Sequence, residues 1–106
     1  MIEQRLIDQL YIMGKNNNIH KIILFGSRAI GDNIQKSDID LAFVAPEMSE
    51  KEWAKFSDTL EEELDTLLLL DLIKFENASS ELKHEIVKHG KVIYSNDSDY
   101  DQRKSS

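Results

Sequence analysis

Asp38 and Asp40 stand two apart in the segment SDIDLAFV. In an extended chain that spacing puts both carboxylates on one strand face, with Cα atoms ~7 Å apart. Both can then reach one divalent cation or two adjacent ones. Like charges this close repel each other unless a cation sits between them. The D-x-D spacing is common, and taken alone it reads as a solvated strand face. Asp71 changes the weighing. It is the only charge in LLLLDLI, residues 67–73, a run otherwise composed for a core. An ionised carboxylate is rarely left in such a place without a partner or a metal, although an Asp at a strand edge, reaching solvent, accounts for it equally well. If its strand lies beside that of Asp38 and Asp40, three carboxylates converge on one sheet face. Such an oxygen-only donor set suits Mg²⁺ or Mn²⁺, and two such ions clamp the attacking and leaving oxygens in phosphoryl or nucleotidyl transfer. Gly26-Ser27-Arg28 adds a glycine at a strand end before a helical turn, a geometry that presents free N–H groups to a phosphate. Ser27 brings a hydroxyl and Arg28 a fixed positive charge. A plain strand-to-helix turn has the same composition.

The surrounding pattern supplies elements to hold these residues. Ile2, Leu6, Leu10 and Met13 mark one helical face over residues 2–15, ended by the run Asn16-Asn17-Asn18. KIILF, residues 21–25, reads as a short buried strand closed by Gly26. A brief helical turn over residues 27–30 and a loop at Gly31-Asp32-Asn33 follow. In the second strand, residues 37–44, Ile39, Leu41 and Phe43 share one face, and Asp38, Asp40 and Ala42 the other. Pro46 breaks it. Ser49-x-x-Glu52 fits a capping box for a helix whose stripe is Trp53, Phe56, Leu60 and Leu64, with Met48 placed to staple onto Trp53. Residues 67–75 form a third strand. Ser79 or Ser80 caps a last helix with Leu82 and Ile86 inward, Gly90 stops it, and residues 91–94 add an edge strand. Helices and strands in this alternation make a layered α/β or α+β domain over residues 1–94, followed by a polar tail, 95–106. Leu69, Asp71 and Ile73 share a strand face, so the carboxylate side is partly apolar. It can receive a base, a partner or a second subunit; cover by the N-terminal helix is the favoured expectation.

Composition narrows the function classes. The chain has 106 residues, with 13 basic and 20 acidic side chains and a formal charge of −7. That surplus disfavours a groove that tracks long nucleic acid, and equally an anionic membrane surface. No apolar run approaches the roughly 20 residues of a bilayer span. Cysteine is absent, which excludes disulfides and thiolate metal sites, and a cytoplasmic domain is the default. His84 and His89 lie five apart, ~140° around a helix, so they do not face one metal. Asp97, Asp99 and Asp101 mimic the start of an EF-hand loop, but Gln102 occupies the position that needs glycine.

The conjunction GSRAIG, SDIDLAF, LLLLDLIKF and SSELKHEIVKHGKVIY, in that order, resembles the minimal nucleotidyltransferases of the DNA polymerase beta superfamily. The resemblance covers residues 2–94. It implies a mixed sheet of about four strands with helices packed mainly on one face. It implies further that Gly26 and Ser27 hold a nucleoside triphosphate, with Arg28 beside them. Asp38 and Asp40 bind metal, two Mg²⁺ ions or Mn²⁺ in their place, and Asp71 binds the metal at the attacking oxygen or acts as general base. Lys74-Phe75 departs from the polar or acidic residues that often follow the third Asp. Short proteins of this branch pair with HEPN-type toxins as antitoxins and transfer AMP from ATP to a toxin tyrosine, which is the leading expectation here. The alternatives are an antitoxin that binds nucleotide and caps its partner without transfer, and a small-molecule nucleotidyltransferase of the aminoglycoside-modifying kind, with a homo-oligomer supplying the acceptor pocket. The chain length leaves room for a catalytic centre and a nucleotide, and assigns the acceptor to a second protein.

Overall fold

The structure, a computed structural model, describes residues 4–26, 38–64, 66 and 69–96. Its elements are α1 (Gln4–Asn16), β1 (Lys21–Phe25), β2 (Ile39–Val44), α2 (Glu50–Glu63), β3 (Leu70–Lys74), a 3-10 turn (Phe75–Asn77), α3 (Ser80–His89) and β4 (Lys91–Ser95). The strands form one mixed sheet in the order β3-β2-β1-β4. β2 runs parallel to β3 and antiparallel to β1, and β4 is antiparallel to β1.

β2 is central because its residues are apolar on both sides where it is covered. Leu41, Ala42 and Phe43 are all fully buried. On one sheet face Ile39, Leu41 and Phe43 pack with Leu6 and Leu10 of α1 and with Phe56 and Leu60 of α2. Trp53 and Phe56 meet the Phe43 ring at centroid distances of 5.5 and 5.7 Å, which anchors α2 to the sheet centre. On the other face Ile23 and Ala42 pack with Ile86 of α3, with Ile73 and Leu82 around them. Two of the three described α-helices thus share one face, as the resemblance implied. No helix among the described residues is long and apolar enough to cross a membrane.

Local chemistry explains the ends. Asn18 takes φ 56°, the left-handed conformation that closes α1, and Ile19 N–H returns to the Gly14 carbonyl at 3.0 Å. The capping box at Ser49 and Glu52 is complete, and Ser79, not Ser80, caps α3. Gly90 does end α3, but with φ −72°, so no left-handed turn demands it. A Cβ there would collide with the Ile86 carbonyl and the Ile23 side chain, so close packing against β1 is the reason for glycine.

Three expectations need correction. The third strand starts at Leu70 and stops at Lys74, because Phe75 turns into the 3-10 segment. Ser95 belongs to β4 and not to a tail. The N-terminal helix does not cover the face of Asp71: α1 packs on the opposite side, and Leu69 is 73% exposed. The turn at residues 27–30, the loop at 31–33 and the three aspartates after position 96 lie outside the described residues.

Candidate active site

Strand pairing brings the separated carboxylates together. β2 and β3 align Asp40 with Asp71 and Ala42 with Ile73. In a parallel pair, aligned side chains share a face, and this is the α3 face, because Ala42 and Ile73 pack beside Ile86. α3 covers the far end of that face and leaves the aspartate end open. Asp71 is exposed on the outermost strand, and Asp40 is half-buried one strand further in. Asp38 is exposed, just before β2 begins, two residues along on the same face.

The electrostatics record the crowding. The Asp40 carboxyl is pushed up to about 6, first by burial, then by a hydrogen bond with Asp71 and by the charges of Asp71 and Asp38. A hydrogen bond between two carboxyls requires a proton on one of them. A divalent cation can replace that proton. Among the described residues no group of three His, Cys, Asp or Glu stands close enough to hold an ion by itself. Asp38, Asp40 and Asp71 are thus not drawn together as one three-carboxylate cluster; Asp40 and Asp71 supply two, and a hard ion such as Mg²⁺ is held through one or two carboxylates while water and substrate phosphates complete its shell. The donor set therefore fits such an ion.

Gly26 closes the site from β1. Phe25 pairs with Asp40, so the next residue passes directly over the Asp40 side chain. Gly26 has φ +79°, and a Cβ on it would collide with the Asp40 carboxylate oxygen. Glycine is required here twice over, by the left-handed backbone and by the approach to Asp40. Ser27 and Arg28 lie outside the described residues. The other candidates stay apart from the site. His84 and His89 are exposed, and His20 contacts Glu47 at 3.0 Å. A cleft of about 600 Å³ between α1 and α2, lined by Met13, Asn18, Glu47 and Phe56, opens at the other end of the sheet.

The sequence reading missed the residues that brace β3. Lys74 is only 6% exposed, and its Nζ lies 3.6 Å from Glu50 Oε2 at the start of α2. Asn77 donates to the other Glu50 oxygen at 2.8 Å. Ala45 N–H, just past β2, donates to Glu76 Oε1 at 3.1 Å. These contacts tie the end of β3 to β2 and α2, which holds Asp71 in register with Asp40. The signal was present: a lysine at an inward position of an apolar strand needs an acid partner within reach of its ammonium.

The likeness to known proteins runs over this same framework. No curated protein is similar enough in sequence to count as a match. Among solved structures, a toxin–antitoxin complex with AMP-PNP contains a chain 26% identical to this one, with TM-score 0.68 over 88% of this chain and 76% of that one. A chain of the toxin–antitoxin MntA–HepT is 24% identical, with TM-score 0.66 over 92% and 76%. A chain from the complex of tri-AMPylated Shewanella oneidensis HEPN toxin with MNT antitoxin is 22% identical, with TM-score 0.67 over 95% and 79%. The last two show the shared fold alone. The family model described as polymerase beta, nucleotidyltransferase matches residues 10–99, from α1 through β4, and with it the strands that carry Gly26, Asp40 and Asp71: the chain belongs to the polymerase beta nucleotidyltransferase family.

Proposed function

We propose that this chain is an antitoxin that transfers AMP from ATP to a tyrosine of a cognate HEPN-type toxin, with Mg²⁺ as its metal. The observation that carries the reading is the Asp40–Asp71 carboxyl pair packed against Gly26, in a chain of nucleotidyltransferase family. The likeness to a chain of a toxin–antitoxin complex with AMP-PNP supports the choice of nucleotide and the antitoxin role.

Asp38, Asp40 and Asp71 would hold Mg²⁺, or Mn²⁺ in its place; when bound, the ion draws charge from the phosphate and from the attacking oxygen. Gly26 lets the backbone approach the triphosphate without a side chain in the way, and Ser27 and Arg28 follow it with a hydroxyl and a positive charge. Asp71, exposed on the outer strand, receives the proton of the acceptor hydroxyl. The tyrosine oxygen forms a bond to the α-phosphorus, the bond to the β-phosphate oxygen breaks, and pyrophosphate leaves. Asp40, further in, would hold the metal on the phosphate side of the site. Positioning and charge neutralisation account for the catalysis.

The test is incubation of the chain with α-labelled ATP, Mg²⁺ and the protein encoded beside it. The expected result is label on a tyrosine of that neighbour together with loss of its toxicity. Neutralisation without label would identify a capping antitoxin and overturn the transfer reading.

A further inference from the structure

We infer that the acceptor reaches this site as an extended segment added to the free edge of β3. The inference rests on the transfer reading above and names how its protein substrate is held. β3 is the outermost strand, and no described strand lies beyond it. Ile39 N–H donates to the Leu69 carbonyl at 2.9 Å, which orients the backbone of Leu69, Asp71 and Ile73 toward β2. Alternation along the strand turns the N–H and C=O groups of Leu70 and Leu72 outward. Alongside this edge runs a groove of about 360 Å³, lined by Trp53 and Leu72 from one sheet face and by Ile73 and Leu82 from the other. Leu69, 73% exposed, stands at the open end of the strand.

Edge strands that are meant to stay unpaired carry protection. β4 has it: Lys91 is exposed at its start, and its pairing with β1 slips between Ile22 and Ile23. β3 has less of it: its one lysine, Lys74, is buried against Glu50, and its exposed charge, Asp71, lies on the face of the carboxylate pair. An added strand would lie ~4.8 Å from β3 and use the outward groups of Leu70 and Leu72 as its ladder. A residue of that segment opposite Asp71, on the same face, looks onto the Asp40–Asp71 pair, and a tyrosine there brings its hydroxyl to the carboxylates. Alternate residues of the segment fall against Leu72 and Trp53 and must be apolar. The face is acidic at Asp38, Asp40 and Asp71, in a chain of formal charge −7, so the complementary segment is basic around its tyrosine.

Residue-resolved amide hydrogen exchange tests this on the full chain with Mg²⁺ and α-labelled ATP, with and without the purified product of the adjacent reading frame. In the chain alone, Leu70 and Leu72 exchange fast while Asp71 and Ile73 exchange slowly. With the partner, Leu70 and Leu72 slow by about tenfold or more as the partner becomes labelled. Labelling without that slowing overturns the docking inference and leaves the transfer reading standing. Absence of label on the partner overturns the transfer reading and the inference with it. Slowing of Leu70 and Leu72 in the chain alone as its concentration rises assigns the edge to a second copy, which also overturns the inference.

Discussion

Asp40 and Asp71 are register partners on adjacent parallel strands, which places their side chains on one face of the sheet. The pair sets the pH behaviour of the fold. Burial, then the Asp71 hydrogen bond and neighbouring charge, raise Asp40 from an ordinary 3.8 to about 6. The native state therefore binds more protons than the unfolded chain between those values. Its stability falls as pH rises through that window and levels off above about 6. Asp40→Asn removes the charge and keeps a hydrogen-bond donor for Asp71. Because Asp40 is partly solvated, the full linkage value must be discounted, leaving a gain of about 1 kcal/mol at pH 7.5 and none at pH 3.5. Urea unfolding with a chelator at both pH values measures it, and an equal effect at both would refute the coupling. The same variant should lose transfer by about a hundredfold or more.

Gly26→Ala attacks the same pair from β1. Alanine at φ +79° costs about 1 kcal/mol, and its Cβ must displace the Asp40 carboxylate. We expect a total loss of ~1–3 kcal/mol with transfer reduced by about a hundredfold or more. Wild-type transfer by a folded Gly26→Ala chain would remove Gly26 from the site.

Much of this site was legible because strand alternation is local. Ile39, Leu41 and Phe43 against Asp38, Asp40 and Ala42 can be sorted from spacing alone, and the structure sorts them the same way. The register of Asp40 against Asp71 was not legible. It depends on contacts such as Lys74 with Glu50 and Ala45 with Glu76, whose partners lie far apart in the chain. The side taken by α1 was misjudged for a related reason. Leu6 and Leu10 say that a helix face is buried but not which sheet face buries it; β2 has apolar residues on both. Gly90 was placed correctly for the wrong reason, since the crowding by Ile23 arises only once β1 and α3 meet.

Ser49→Ala separates stability from chemistry. Ser49 Oγ accepts from Glu52 N–H at 3.1 Å, and Glu52 Oε1 accepts from Ser49 N–H at 2.8 Å. Loss of the hydroxyl should cost ~1 kcal/mol with transfer changed by less than about twofold, because the cap stands away from Asp40 and Asp71. The Ser49 backbone N–H, and after it the hydroxyl, hold Glu52 below its ordinary value of 4.5. That contribution is present above the unfolded pKa and is lost as pH falls through the lowered folded value. The difference between Ser49→Ala and the parent should therefore shrink in acid. A difference that grows as pH falls would contradict the capping-box account.

Tyr94→Phe tests the packing of α1 on β4. Tyr94 is 3% exposed, its ring meets Tyr11 edge-on at 4.8 Å, and its buried hydroxyl has no hydrogen-bond partner among the described residues. A buried unsatisfied hydroxyl costs ~1–3 kcal/mol, so removing it should stabilise the fold by about 1 kcal/mol. Gly14→Ala should act in the opposite direction. Alanine gains ~1 kcal/mol of helix propensity over glycine, yet its Cβ would sit 2.9 Å from a Tyr94 ring carbon. Overpacking of this kind costs ~1–3 kcal/mol and outweighs the propensity. Thermal unfolding of the two single variants and of the pair decides the point. The phenylalanine ring keeps the clash, so the two effects should add. If Tyr94→Phe destabilises instead, the hydroxyl has a partner in solution, such as an ordered water between α1 and β4.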